Sequence, residues 1–182
     1  MTRLAAFLDR DGVINIDPGY VHRWEDFAFV PGAVDAMRRL QDAGYALVVV
    51  TNQSGIARGF FTEADFLALD RAMRAHLDGK GVHLSRVEFC PHLPGAKVSA
   101  YNLDCDCRKP APGMILRAAA ALDIDLARSL LFGDKPSDIE AARRAGVGRA
   151  LLLATDGRPE IAKGEHPEFA NLADAVDALL DG

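Results

Sequence analysis

Two aspartates stand two residues apart in Asp9-Arg10-Asp11-Gly12-Val13, directly after the apolar run Leu4 to Leu8. Carboxylates held that close repel, and the usual reliefs are a bound cation or protonation of one partner. Phosphoryl transfer uses both. One carboxylate attacks phosphorus to give an aspartyl phosphate, and the other donates a proton to the leaving alkoxide and later takes one from water. Asp9 fits the first role and Asp11 the second, with Mg2+ neutralising charge between nucleophile and phosphate. The same string also makes an ordinary turn, since Asp and Gly both favour turns, so the reading depends on what else the chain supplies.

Three further stretches supply it. Thr51 and Asn52-Gln53-Ser54-Gly55 follow a second apolar run and offer hydroxyls and backbone N–H groups that can surround a phosphate. Arg108-Lys109-Pro110 sets compact positive charge before a helical stretch, suited to screening the nucleophile as a dianion approaches. In Gly133-Asp134-Lys135-Pro136-Ser137-Asp138, Asp134 follows another apolar run and reads as a second Mg2+ carboxylate. Asp138 reads as a charge favouring the next helix N-terminus.

A separate cluster points to a different metal. Cys90-x-His92 and Cys105-x-Cys107 offer three thiolates and an imidazole, the composition of a closed structural Zn2+ site. The one-residue spacing differs from the commoner Cys-x-x-Cys, and buried free thiols are the alternative. A disulfide is disfavoured, because Cys-x-Cys pairs close badly and a reducing compartment is expected. Such a metal would fold the proline-bearing stretch from Cys90 to Ala111, which fits neither helix nor strand period.

The elements that must position these groups are legible in the apolar pattern. Leu4 to Leu8, Ala46 to Val50, Leu130 to Phe132 and Ala150 to Leu153 are short continuous runs, as expected of strands buried on both faces. Helices are predicted from about Pro31 to Ala43, from Thr62 to about Leu77, from Pro112 through Leu122, after Ser137, and over Ala173 to Leu180. Thr62 with Asp65 resembles a capping box, and Ser137 with Glu140 resembles another. Alternating strands and helices imply right-handed crossovers and an α/β class: a doubly wound, Rossmann-like parallel sheet. Ligands of such sheets bind at the carboxyl ends of the strands, where Asp9, Thr51 and Asp134 all fall.

With 182 residues the chain suits one well-buried core, so a single domain over 1–182 is expected, with the zinc loop at about 90–109. The net charge of −5 argues against broad nucleic-acid binding and leaves room for a local anion site. No apolar run approaches the ~20 residues a bilayer span needs, and Met1 to Leu8 is short for a secretory leader. The expectation is therefore a cytoplasmic protein with no membrane or nucleic-acid partner. Nothing in the surface pattern demands a dimer, so a monomer is expected. His76, His83 and His166 read as surface residues, and 156–166 receives no role.

In order, Asp-x-Asp-Gly-Val, a Thr after a strand, Lys-Pro and Gly-Asp-x-x-x-Asp resemble the four motifs of the haloacid-dehalogenase (HAD) phosphatases, over Asp9 to Asp138. The resemblance implies Asp9 as nucleophile, Asp11 as general acid/base, and Thr51 and Lys109 as phosphate stabilisers. It puts Mg2+ on Asp9, Asp134 and the Asp11 main-chain oxygen. Within that superfamily the chain is similar to the heptose-bisphosphate and histidinol-phosphate phosphatase branch. Asp9 to Asn15, Gly19 to His22, Thr51 to Gly59, Cys90-Pro91-His92, Cys105 to Pro110 and Gly133-Asp134-Lys135 carry this similarity.

That branch implies Zn2+ on Cys90, His92, Cys105 and Cys107, with Asp17, Gly19, Tyr20, Asn52, Gln53, Ser54, Arg108 and Lys135 lining the substrate site. The implied activity is Mg2+-dependent removal of the 7-phosphate from a small phosphorylated sugar, heptose 1,7-bisphosphate, on the route to ADP- or GDP-heptose for bacterial surface glycans such as lipopolysaccharide. Histidinol phosphate or another small phosphorylated metabolite is the alternative substrate. A zinc-stabilised binding module is the non-enzymatic alternative, disfavoured by the acidic charge and the lack of interleaved basic and aromatic residues. Asp11 and Val50 lie too close to their next helices for the large cap domain of many relatives, so a capless, open site is expected.

Overall fold

The computed structural model describes residues 2–154 and 169–181. Five strands, β1 (Leu4–Leu8), β2 (Tyr45–Asn52), β3 (Leu84–Cys90), β4 (Leu130–Gly133) and β5 (Arg149–Leu152), form one sheet in the order β3-β2-β1-β4-β5. All four pairings are parallel. The α/β, doubly wound, Rossmann-like expectation is met. The stretch 156–166, with His166, lies outside the described residues.

Alternate strand residues feed two apolar layers. Ala6, Leu8, Leu47, Val49 and Phe132 pack with α1 (Ala33–Asp42), α6 (Leu172–Leu180) and the end of α3 (Glu63–Asp78). Ala5, Phe7, Val48, Val50 and Leu131 pack on the opposite face with α4 (Gly113–Leu122) and α5 (Pro136–Ala145). Complete burial of a Phe or Leu side chain contributes about 1.5–3 kcal/mol relative to exposure, and Phe7, Leu8 and Phe132 are all fully buried. The central strands are thereby fixed, and with them the residues at their carboxyl ends.

Two elements escaped the apolar pattern. The edge strand β3 carries a register shift: Leu47 pairs with Leu84 but Val48 pairs with Arg86, so Ser85 is skipped. Its core-facing residues Leu84, Val87 and Phe89 are then spaced three and two apart, which no strict period-2 reading detects. The five-residue α2 (Ser54–Arg58) is too short to show helical periodicity. The fourth predicted helix also starts differently. Its first residue is Pro136 and Asp138, not Ser137, receives the leading N–H groups.

Neither connection holds a cap domain. Between β1 and α1 lies only a 3-10 turn at Trp24–Asp26, and between β2 and α3 only α2. Among the described residues no helix is long and apolar enough to cross a membrane.

The α3 cap forms as its sequence predicts. The Thr62 N–H donates to Asp65 Oδ2 at 2.8 Å, and the Asp65 N–H donates to Thr62 Oγ1 at 3.1 Å. Thr62→Ala removes one of these bonds at an exposed position away from the strand ends. It should lower stability by about 1 kcal/mol in urea unfolding and leave the strand-end groups Asp9, Thr51 and Asp134 where they are, read as an unchanged rate of any reaction they carry out.

Candidate active site

Asp9 leaves the carboxyl end of β1 with its N–H donated to Phe132 O at 3.0 Å, so it sits on the ladder between β1 and β4. Its carboxylate is almost wholly buried. Oδ1 accepts the Arg10 N–H at 2.9 Å and lies 3.0 Å from Lys109 Nζ. The Lys109 ammonium is itself 3% exposed and also meets Asp138 Oδ1 at 2.6 Å and Val50 O at 2.8 Å. Its three protons thus have three protein acceptors, and its contribution as placed is a fixed charge beside Asp9. Burial alone would lower the Lys109 pKa, yet the carboxylates of Asp138 and Asp9 outweigh it and the net shift is upward.

Asp138 is more than a helix-terminus charge. It is buried, and Oδ2 accepts the N–H groups of Asp134 and Lys135 at 3.1 Å each while Oδ1 meets Lys109. Gly133 permits this approach, because a Cβ there would stand 2.3 Å from Asp138 Cβ. An acid four residues after Asp134 was a visible capping signal; its pairing with Lys109, distant in sequence, was not.

Asp9, Asp134 and Asp138 each bring a carboxylate oxygen within 4.8 Å of the others. Such hard oxygen donors suit Mg2+. The electrostatics ask for a cation as well: burial, then the neighbouring Asp138 and Asp134 carboxylates, raise the Asp9 pKa from 3.8 to about 8 against the pull of Lys109 and Lys135.

Asp11 stands apart from that cluster. Its Oδ1 accepts from Arg10 Nε at 3.1 Å, Arg10 Nη2 at 2.7 Å and Asn15 Nδ2 at 3.1 Å, and its Oδ2 accepts from Gln53 Nε2 at 2.9 Å. Gln53 Nε2 also donates to Thr51 Oγ1 at 2.9 Å, so one amide joins the two groups. Arg10 and Asn15 were not singled out in the sequence, where a residue between two acids has no periodic signature.

Asn52 is largely committed to the protein. Its Nδ2 donates to Lys109 O at 3.1 Å and its Oδ1 accepts the Lys109 N–H at 3.0 Å, a two-bond clamp between β2 and the lysine loop.

A cleft of 600 Å³ opens over this floor, lined by Asp9, Asp11, Asn52, Gln53, Lys109 and the predicted substrate residues Asp17, Gly19, Tyr20, Ser54, Arg108 and Lys135. Gly55, Pro110, Ser137 and Asp138 line it too, beyond those predicted. The Asp17 loop is self-braced, with Asp17 Oδ1 accepting the Gly19 N–H at 2.9 Å and Tyr20 set edge-on to Phe60. Burial would lower the Lys135 pKa, but Asp134, Asp9, Asp138 and Asp17 together raise it, so it remains a cation.

The cysteine loop closes on one point. Sγ–Sγ separations are 3.0 Å for Cys90–Cys107, 3.3 Å for Cys105–Cys107 and 3.6 Å for Cys90–Cys105, with His92 Nδ1 at 3.3 Å from Cys107 and 3.7 Å from Cys90. These are far beyond a disulfide bond of about 2.05 Å. They approach the edges of about 3.8 Å of a tetrahedron built on Zn–S bonds of about 2.3 Å. Burial pushes the Cys90 and Cys107 thiols up. At Cys105 burial acts the same way, but hydrogen bonds from Cys107 and the Arg108 N–H win and lower it. The donor set therefore fits Zn2+.

Comparison with known proteins agrees with this geometry. The HAD-hydrolase-like family model matches residues 106–179. The D-glycero-β-D-manno-heptose-1,7-bisphosphate 7-phosphatase of Escherichia coli (strain K12) is 51% identical over 178 residues, covering 97% of this chain and 90% of its own. This chain belongs to the HAD phosphatases. The namesake enzyme of Yersinia pestis is 50% identical over 161 residues, 88% of this HAD phosphatase and 85% of its own chain. Among solved structures, the D,D-heptose 1,7-bisphosphate phosphatase of B. bronchiseptica, complexed with magnesium and phosphate, superposes with TM-score 0.83 at 36% identity. The match covers 98% of this chain and 99% of that one.

The Asp9 shift has a sign that can be checked. Its raised pKa means the folded, metal-free chain binds the proton more tightly than the unfolded one, so stability falls as pH rises from 3.8 toward about 8. Mg2+ must displace that proton. Mg2+ affinity measured by calorimetry should therefore strengthen from about pH 6 to about pH 8, with release of close to one proton at pH 6 falling to about half a proton at pH 8. A pH-independent affinity would remove Asp9 from the ligand set.

Proposed function

We propose that residues 1–182 form one catalytic domain that hydrolyses the 7-phosphate of D-glycero-β-D-manno-heptose 1,7-bisphosphate. The observation that carries this reading is the cleft floor: a buried carboxylate, Asp9, beside the Lys109 cation, with a second carboxylate, Asp11, held separately by its own donors. Arg108 and Lys135 add positive charge to the same cleft, which suits a sugar bearing two phosphates.

In this reading Asp9 attacks phosphorus, forming the aspartyl phosphate as the bond between phosphorus and the sugar oxygen breaks. Asp11 gives its proton to that oxygen. The ionised Asp11 then takes a proton from the water that attacks the aspartyl phosphate, and inorganic phosphate leaves with Asp9 restored. Thr51 holds phosphate oxygens, and Lys109 offsets the charge of Asp9 so that the dianion can approach it. Mg2+, held by Asp9, Asp134 and the Asp11 main-chain oxygen, supplies further neutralisation between nucleophile and phosphate.

Zn2+ on Cys90, His92, Cys105 and Cys107 has a structural role. Arg108 and Lys109 follow Cys107 directly, so the metal that folds the loop also sets these two cations. The protein acts in this reading as a cytoplasmic monomer whose product feeds nucleotide-activated heptose for bacterial surface glycans.

Phosphate release from heptose 1,7-bisphosphate and from histidinol phosphate, assayed side by side, tests the substrate. A preference for the bisphosphate is expected, and a clear preference for histidinol phosphate would overturn it. Asp9→Asn should abolish turnover above background while the circular dichroism spectrum is unchanged. Cys105→Ala should lose bound zinc, become protease-sensitive between 90 and 111, and raise KM by about tenfold or more, the range seen when groups supporting a site are removed. Unchanged kinetics with full protease resistance would reject the structural role of the metal.

A further inference from the structure

Among the described residues Arg10 is the largest fully buried side chain, 2% exposed, and the roles of the catalytic residues do not account for it. A guanidinium so buried is costly unless its donors are matched, and here Nε and Nη2 find acceptors on Asp11 and Val21. Nε and Nη2 both reach Asp11 Oδ1, at 3.1 and 2.7 Å, and Nη2 also donates to Val21 O at 2.7 Å. The guanidinium carbon lies over the Phe66 ring on α3, 5.8 Å from its centroid. The Arg10 main chain is equally committed: its carbonyl accepts the N–H groups of Val13, Ile14 and Asn15 at 3.2, 2.8 and 3.2 Å.

Asn15, also fully buried, adds a third N–H to the same oxygen at 3.1 Å. Oδ1 of Asp11 thus takes three donors and has no lone pair left for a proton. Oδ2 takes one, from Gln53.

We propose that Arg10 and Asn15 are positioning residues that act through Asp11, saturating Oδ1 so that Oδ2 is the oxygen that exchanges the proton during phosphoryl transfer. This rests on the phosphatase reading above. In the first step the Oδ2–H bond breaks as the proton moves to the sugar oxygen, whose bond to phosphorus is leaving with its electron pair. In the second step the Oδ2 carboxylate oxygen takes a proton from the water attacking Asp9 phosphate. A carboxylate free to rotate would still ionise but would present either oxygen in many orientations, and proton transfer depends on alignment.

The leaving group separates this role from a merely structural one. A sugar alkoxide needs the proton, whereas p-nitrophenolate departs without it. Arg10→Lys, which keeps the buried charge but loses the fork, and Asn15→Leu, which removes the other donor, are compared with the parent in Mg2+ by rapid quench and by burst absorbance. For each variant, Asp9 phosphorylation by heptose 1,7-bisphosphate should slow by about tenfold or more, part of the 10²–10⁴ that general acids supply. The nitrophenolate burst should stay within about twofold of the parent, followed by a slower steady state because water activation also needs Asp11.

Equal slowing with both leaving groups, or slowing with neither, overturns the proposal. If one variant fails to fold, the other decides. A parent protein that forms no phosphoenzyme with either substrate would instead overturn the phosphatase reading itself.

Discussion

The site depends on the burial of one lysine between two carboxylates. Lys109 Nζ, 3% exposed, stands 2.6 Å from Asp138 and 3.0 Å from Asp9, and the third proton goes to the Val50 carbonyl. Removing three charges from water carries a large desolvation cost, recovered only when geometry is close and the remaining hydrogen-bonding capacity is met. Asp138 meets it through the Asp134 and Lys135 N–H groups, and Asp9 through Arg10. Deleting one member of such a group typically costs about 3–5 kcal/mol, because its partner is left charged and buried. The arrangement still carries an excess of negative charge around Asp9 once Asp134 is counted, an excess that suits a divalent cation.

The lysine does not reach this position by helix or strand geometry. It lies on the loop after the cysteine cluster, and two constraints fix it. The Asn52 amide clamps both the N–H and the carbonyl of Lys109 to the end of β2. From the other side, Cys107 and Cys105 hold the preceding residues, with the Arg108 N–H 3.4 Å from Cys105 Sγ and Arg108 Nη1 3.3 Å from His92 O. A loop with little apolar surface of its own cannot order itself this far against its entropy. The converging Cys90, His92, Cys105 and Cys107, a donor set that fits Zn2+, and the Asn52 clamp together stand in for the missing core.

What the sequence made legible follows from which interactions are local. Four of the five strands announce themselves because both faces are buried, and Asp9, Thr51 and Asp134 are placed at one sheet edge by that fact alone. The α3 cap is legible because Thr62 and Asp65 are three residues apart. β3 is not, because skipping Ser85 breaks the alternation that would have marked Leu84, Val87 and Phe89. Asp138 as a partner of Lys109 is invisible for another reason: the pairing exists only between segments that folding brings together. Arg10 as the holder of Asp11 is invisible although the two are neighbours, because the side chain is aimed by contacts with Val21 and Phe66 that lie far along the chain. Asn52 and Gln53 are an intermediate case. They lie in the cleft as the family pattern suggests, yet their amides are spent on Lys109, Thr51 and Asp11.

These differences describe a division of labour. Asp9, Thr51 and the residue before Asp134 stand on or next to hydrogen-bonded strand ends: Asp9 is tied to Phe132, Gly133 accepts the Leu153 N–H at 2.8 Å, and Thr51 lies within β2. A sheet edge varies little in position, which phosphoryl transfer requires, since a displacement of about 1 Å can cost roughly a hundredfold in rate. Groups that face the rest of the cleft, from Asp17 to Tyr20 and at Arg108, stand on loops with local braces of their own. Neither of the two connections described above holds a cap domain, so these braced loops form the rim of the cleft. Rigid strand ends and separately braced loops allow the second set to change without moving the first, because the two sets share few hydrogen bonds.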